Sequence, residues 1–275
     1  MLPPNFNTKI IPLLQNPKAQ DFQRRGINTS IPTISASLGG FEKGELVIIT
    51  AAPGAGKTQL ARTFSLDFIE QGLNVLYLSF ELRYNQLLGL FIMAGLNNLD
   101  SRLLILSPED HLENDITFVE EIADKNNIDI LVVDDLHSLE EKYAQFRRFN
   151  DPQALVLRGL SQRLKNIALK KNIVVLSMVH QRKDSIDNKD SSLSEIAYSG
   201  GIAQVADTVL SIKTDKKNGN AIIEIIKARW SGSKIKAICK DVNKRFVELT
   251  ENEKNGQLTP AEVTDKFRRY TPDEL

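Results

Sequence analysis

The segment AAPGAGKT, residues 51–58, follows the apolar run ELVIIT and opens a stretch of helical composition from Lys57 to Gln71. Nothing else in the chain restricts its fold as tightly. A glycine-rich turn between a buried strand and a helix leaves backbone N–H groups pointing inward, where the helix N-terminus adds positive potential. That combination binds phosphate. Gly54 and Gly56 give the turn its conformational freedom, Lys57 is placed to reach terminal phosphates, and the Thr58 hydroxyl is placed to hold Mg²⁺. Pro53, Ala55 and Gln59 complete the loop expected to line a nucleotide, and Ala51 stands where the general pattern has its first glycine.

The rest of the chain repeats the strand-then-helix rhythm that such a turn requires. ELVIIT (45–50), NVLYLS (74–79), RLLIL (102–106), IDILVVDD (128–135) and IVVLSMVH (173–180) are nearly continuous apolar runs, as expected for parallel strands covered on both faces. Between them, Lys57 to Gln71, Arg83 to Ala94, Asn114 to Asn126 and Pro152 to Lys171 have helical length and composition. After Asp207 the rhythm changes to TVLSIKTD, AIIEIIKARW, KIKAICKD and KRFVELT, joined by short turns such as KKNGN. These read as antiparallel strands extending the sheet. The predicted fold is therefore α/β, a mainly parallel central sheet flanked by helices, with antiparallel C-terminal strands.

The expected organisation is an arm or linker over residues 1–25, one main domain over 26–250 and a polar tail over 251–275, in which TPAEVTDKFRRY can form a short helix. The arm holds four of the ten prolines and a short apolar stretch, Ile10 to Leu14. It reads either as a loose tail or as a segment that docks on a neighbouring subunit. With 35 basic and 35 acidic residues, no global field draws the chain to nucleic acid or anionic membrane, so any such contact must be a local patch. The single cysteine, Cys239, excludes a disulfide framework or cysteine metal cluster within the chain and reads as a small strand residue. The opening MLPPNFNTKIIPLL is too interrupted by proline for a signal peptide or membrane span, and a cytoplasmic location is expected.

Hydrolysis of a nucleotide also needs carboxylates at the ends of neighbouring strands, to position Mg²⁺ and the attacking water. Asp134 follows ILVV and is the favoured metal residue, with Asp135 as its substitute. Glu81, directly after LYLSF, is placed to orient or deprotonate water.

Taken together, these segments resemble the C-terminal ATPase domain of DnaB-type replicative helicases, a branch of the RecA-like P-loop superfamily. The likeness runs from RRGINTSIPTISASLGGFEKGELVII through AAPGAGKT, VLYLSFEL and ILVVDDLHSL to SQRLKNIALKKNIVVLSMVHQ. The resemblance implies a catalytic role for Glu81 with Lys57, and a metal role for Asp134. His180 falls where these helicases usually carry glutamine and related phage primase-helicases carry histidine, implying a phosphate sensor. IEIIKARWSG resembles the strand whose basic pair reaches the next subunit's nucleotide, which places that role on Lys227 and Arg229.

The polar loop from Gln181 to Glu195 resembles the channel-facing segment of the family, with Arg182, Lys183 and Lys189 as candidate phosphate contacts on single-stranded DNA. It lacks aromatic residues, so contact to the backbone rather than base stacking is expected. The resemblance thus implies ATP and Mg²⁺ as cofactors and a homo-oligomer, in the form of a hexameric ring. It further implies 5′-to-3′ helicase or translocase activity in replication, and a separate primase or loader as a further partner. The stretch before Gly26 is too short for the helical N-terminal domain of full-length replicative helicases, which puts primase recruitment and ring stability in question. A RecA-like ATPase acting as a non-unwinding recombination mediator or regulatory DNA-binding module is the alternative. Arg62, Arg158, Arg163 and Trp230 have no assigned role beyond helix surface or packing.

Overall fold

A computed structural model describes residues 26–97, 100–107, 116–143, 153–181, 193, 199–215, 218–232 and 234–254. The expected arm, the tail beyond residue 254 with its TPAEVTDKFRRY segment, and Arg182, Lys183 and Lys189 lie outside the described residues.

Among the described residues, nine strands form one sheet: β1 (Leu46–Ala51), β2 (Val75–Ser79), β3 (Leu103–Leu106), β4 (Ile130–Asp134), β5 (Val174–His180), β6 (Thr208–Thr214), β7 (Ala221–Ala228), β8 (Ile235–Val242) and β9 (Arg245–Glu248). Their spatial order is β3-β2-β4-β5-β1-β6-β7-β8-β9. Every predicted strand is present within about two residues of its expected ends. The C-terminal group needs one correction, because β6 pairs in parallel with β1 and only the pairings from β6·β7 onward are antiparallel. The apolar run of β6 has the double-faced burial of a central strand, which makes it the last member of the parallel set.

Side-chain alternation divides the interior into two layers. From β1, Val47, Ile49 and Ala51 enter one layer while Leu46 and Ile48 enter the other; β4 divides the same way, with Ile130 and Val132 opposite Leu131 and Val133. The first layer packs against α1 (Pro32–Leu38), α2 (Lys57–Glu70) and α3 (Tyr84–Met93). The second packs against α4 (Ile116–Lys125), α5 (Leu136–Tyr143), α6 (Gln153–Lys171) and α7 (Ser199–Val205). A last short helix, α8 (Glu251–Lys254), follows β9. Strand β8 alternates buried and open positions, and Ala237 and Cys239 point into the first layer, so Cys239 is the small strand residue expected.

Two devices fix the ends of the first layer. Gly26 and Gly40 back onto each other so closely that a Cβ on Gly26 would sit 2.4 Å from the Gly40 carbonyl carbon, and the Ile27–Phe41 bridge forms beside them. The polar side of α2 is bound to β9. Arg62 donates to the Lys244 carbonyl at 2.7 Å, Thr63 Oγ1 accepts from Phe246 N at 3.0 Å, and Arg245 pairs with Asp67 and Glu70 at 2.6 Å each. Arg62 is thus a buried packing residue that donates from one terminal nitrogen to a carbonyl.

Candidate active site

The parallel strands β1, β2, β4 and β5 bring their C-terminal ends to one edge of the sheet, the place where open α/β sheets form their crevice. Register does this without help from sequence proximity. Ser79 pairs with Asp134, and Ala51 pairs with His180, so residues far apart in the chain arrive at one level. Lys57, Thr58, Glu81, Asp134, Asp135 and His180 all cluster there.

The turn from β1 to α2 has the geometry of a phosphate cradle. Gly54 has φ +76° with open space where a side chain would stand. Gly56 has φ +100°, and a Cβ there would meet Phe246 Cζ at 2.8 Å, so both the backbone and the neighbouring ring demand glycine. Pro53 and Gly54 are exposed, while Ala55, Thr58 and Gln59 are half-buried at the start of α2.

Lys57 is only 9% exposed, and its Nζ donates to the Ala51 carbonyl at 3.4 Å and to His180 Nδ1 at 3.2 Å. Burial lowers its pKa, although the fields of Asp135, Asp134 and Glu81 act in the opposite sense. An ammonium held by one long carbonyl contact and an imidazole keeps a strong attraction for an anion placed beside the open cradle. The residues therefore fit the polyphosphate that this fold accepts.

Asp134 ends β4 and is 4% exposed. Its carboxylate accepts from Tyr77 Oη at 2.8 Å and from the Thr58 hydroxyl. Burial dominates, and the carboxyl is pushed up to about 6 despite those donors. Paired oxygens from Thr58 and Asp134 suit a hard divalent ion such as Mg²⁺, whose charge would reverse that upward push. Tyr77 was hidden in the sequence, where an aromatic residue inside LYLS reads as core; only its hydroxyl, which needs a partner when buried, hints at more.

Asp135 does not share the position of Asp134. Its Oδ2 lies 2.6 Å from His180 Nε2, and its Oδ1 accepts from Ser138 N at 2.9 Å. Burial opposes ionisation, yet His180 and the Ser138 N–H hold this carboxyl at about 2. The doublet therefore divides into a Thr58-linked residue and a His180-linked one. An ammonium can only donate, so Nδ1 of His180 accepts from Lys57 and the ring proton sits on Nε2, facing Asp135. Glu81 is half-exposed, with Oε1 3.9 Å from His180 Nε2. His137, from the first turn of α5, stands beside this group with its ring centroid 5.2 Å from that of His180, and nothing in the sequence singled it out.

Lys227 and Arg229 lie elsewhere. Strand β7 runs antiparallel to β6, so these residues sit at the level of Thr208 and Val209, opposite the edge that bears the cradle. About five residues of strand, roughly 17 Å, separate the two edges. Lys227 Nζ donates to the carbonyls of Ala203 and Ala206 at 2.6 and 2.5 Å. Arg229 donates to Gln204 and Val205 carbonyls, and its Nε lies 3.4 Å from Asp207 Oδ1. Both cations therefore cap the C-terminal end of α7, where the helix dipole favours positive charge. Asp207 also accepts from Leu46 N at 2.8 Å and Lys165 Nζ at 2.6 Å, joining β1, α6 and β7 through one buried carboxylate.

The chain is similar to several known proteins. The chain is 28% identical over 196 residues to the DNA repair protein RadA of Rickettsia conorii (strain ATCC VR-613 / Malish 7), covering 70% of this chain and 40% of RadA. It is 25% identical over 281 residues to the replicative DNA helicase DnaB of Geobacillus stearothermophilus, covering 88% of this chain and 61% of that protein. The chain thus spans less than two thirds of either relative. Among solved structures, the ATPase domain of G40P superposes with a TM-score of 0.70 at 16% identity, covering 84% of this chain and 93% of that one, a likeness of fold. The fold is the RecA-like P-loop fold anticipated from the sequence, and homology to both DnaB and RadA supports a nucleotide-binding ATPase. The AAA domain family model matches residues 15–185, more than half of the chain, and the chain accordingly belongs to that family, AAA_25.

Proposed function

We propose that this chain is a ring-forming ATPase motor of DnaB type that hydrolyses ATP at subunit interfaces and moves along single-stranded DNA in replication. The observation behind this reading is the separation of Lys57, Thr58, Glu81, Asp134 and His180 from Lys227 and Arg229, on opposite edges of one sheet. A cation needed for charge stabilisation is of use there only to a neighbouring molecule. Bound ATP with Mg²⁺ supplies the scissile phosphoanhydride and the metal's charge neutralisation. Lys57 and the Gly54–Gly56 backbone bind the phosphates, and Thr58 with Asp134 orients the metal. Glu81 takes the proton from an attacking water, and His180 holds its place through Asp135 while reporting phosphate occupancy by its contact with Lys57. Arg229 leaves its α7 carbonyls to serve the adjacent subunit, and the loop with Arg182, Lys183 and Lys189 follows the DNA backbone. A hexamer moving 5′ to 3′ and a separate primase or loader complete the proposal.

The test is subunit mixing. Lys57→Ala and Arg229→Ala proteins, each inactive alone, should regain DNA-stimulated ATP hydrolysis when mixed, because some interfaces then combine an intact cradle with an intact arginine. No recovery in a confirmed mixed oligomer would refute the trans arrangement. Similarity to RadA favours a second reading, a non-unwinding recombination ATPase. Hydrolysis stimulated by DNA without strand displacement on a forked substrate would select it.

A further inference from the structure

Asp135, His137 and His180 come from the end of β4, the first turn of α5 and the end of β5, and each offers one ligand atom within 4.8 Å of the others. We propose that these three residues bind a borderline-soft divalent ion of the Zn²⁺ type, at a position distinct from the Thr58–Asp134 Mg²⁺ position, and that its binding arrests hydrolysis.

The donor set selects the ion. Two imidazoles with one carboxylate favour zinc, nickel or copper, whereas Mg²⁺ prefers oxygen alone. Ligand atoms about a tetrahedral zinc, each 2.0–2.1 Å from it, stand about 3.4 Å apart. The 2.6 Å separation of Asp135 Oδ2 and His180 Nε2 must therefore open slightly to admit the ion, while His137 closes in. Glu81, with Oε1 3.9 Å from His180 Nε2 and half-exposed, is within reach as a fourth ligand or can leave that position to water.

The arrest follows from the tautomer. His180 accepts from Lys57 through Nδ1 only while its proton is on Nε2. An ion on Nε2 moves the ring proton to Nδ1, which then repels the Lys57 ammonium instead of accepting from it. The lysine and the sensor lose their contact, and Asp135 is removed from its partner in the same step. Binding of the ion stands independently of the motor reading above; only the arrest rests on it.

Co²⁺ is the probe, titrated into the nucleotide-free, Mg²⁺-free protein and read by its visible absorption bands. One Co²⁺ per chain, displaced by Zn²⁺, is expected for the natural protein and for Asp134→Asn, with affinity reduced at least about tenfold in His137→Gln. His180→Gln is the second variant and should lose the bands as well if His137→Gln proves unstable. In ATP hydrolysis under excess Mg²⁺, Zn²⁺ should inhibit the natural protein at concentrations at least about tenfold below those needed for His137→Gln. Equal Co²⁺ affinity in the natural protein and His137→Gln, absence of bands at millimolar Co²⁺, or loss of binding in Asp134→Asn would overturn the site. Co²⁺ binding as expected with unaltered hydrolysis would overturn the arrest alone. A protein that binds Co²⁺ but never hydrolyses ATP would refute the motor reading and leave the ion site standing.

Discussion

His180 Nδ1 lies 3.2 Å from Lys57 Nζ, so the residue at the end of β5 and the lysine at the start of α2 are direct partners. In the proposed function, a terminal phosphate would compete for that lysine and release the imidazole. Lys57→Ala is expected to abolish the thermal stabilisation that ATP confers on the protein, measured by a melting curve with and without nucleotide. His180→Ala should keep that stabilisation but lower the hydrolysis rate by about a hundredfold, the usual cost of one positioned group.

Burial makes the ionised form of Asp134 costly to the folded chain. Its carboxyl is pushed up to about 6 by burial, so the native state binds its proton more tightly than the unfolded chain. Stability from this group is therefore full below about pH 4 and is lost as pH rises through 6. Asp134→Asn, which still accepts from Tyr77, should raise stability at pH 7.5 by up to about 3 kcal/mol, with the gain shrinking to nothing near pH 4. Denaturant melts at a series of pH values check the sign, and Mg²⁺-dependent hydrolysis should disappear in the same variant.

Asp207 and Arg229 separate structure from chemistry at the opposite edge. Asp207→Ala strands the Lys165 ammonium and the Leu46 N–H, and a loss of about 3–5 kcal/mol is expected in urea unfolding. Arg229 is more open, and its replacement by alanine should cost about 1 kcal/mol or less. Any large loss of hydrolysis in Arg229→Ala is then a loss of chemistry rather than of folding.

Cys239 is fully buried, and burial pushes its thiol up to about 12. At pH 8 its modification by a disulfide reagent should proceed only as fast as the sheet opens. Rates that rise with denaturant in step with unfolding would agree with this, whereas prompt modification of the folded protein would contradict it.

The parallel core was legible because strands covered on both faces must be apolar throughout, and ILVV or VVLSMV leave little alternative. The places of the glycine-rich turn and of Asp134 at strand ends were legible because each directly follows a continuous apolar run. The short helices were not. PTISASL forms α1 with a proline at its first position and no side-chain cap, and SGGIAQV forms α7 despite two glycines, since Lys227 and Arg229 cap it from another strand. Pairing across the sheet was also hidden. Neither the division of labour between Asp134 and Asp135 nor the approach of His137 to His180 can be read until register brings β4 and β5 side by side. The parallel pairing of β6 with β1 is equally illegible, because TVLSIKT alternates no more clearly than its neighbours.

The ring of Phe246 stands behind Gly56, and β9 is tied to α2 through Thr63, Asp67 and Glu70. The wall of the phosphate loop is thus translated 190 residues after the loop itself, since 246 − 56 = 190. During synthesis on the ribosome, the first nucleotide-binding turn to emerge waits for one of the last strands before it has a back. Nascent chains ending short of Phe246 would lack the ring that stands behind Gly56.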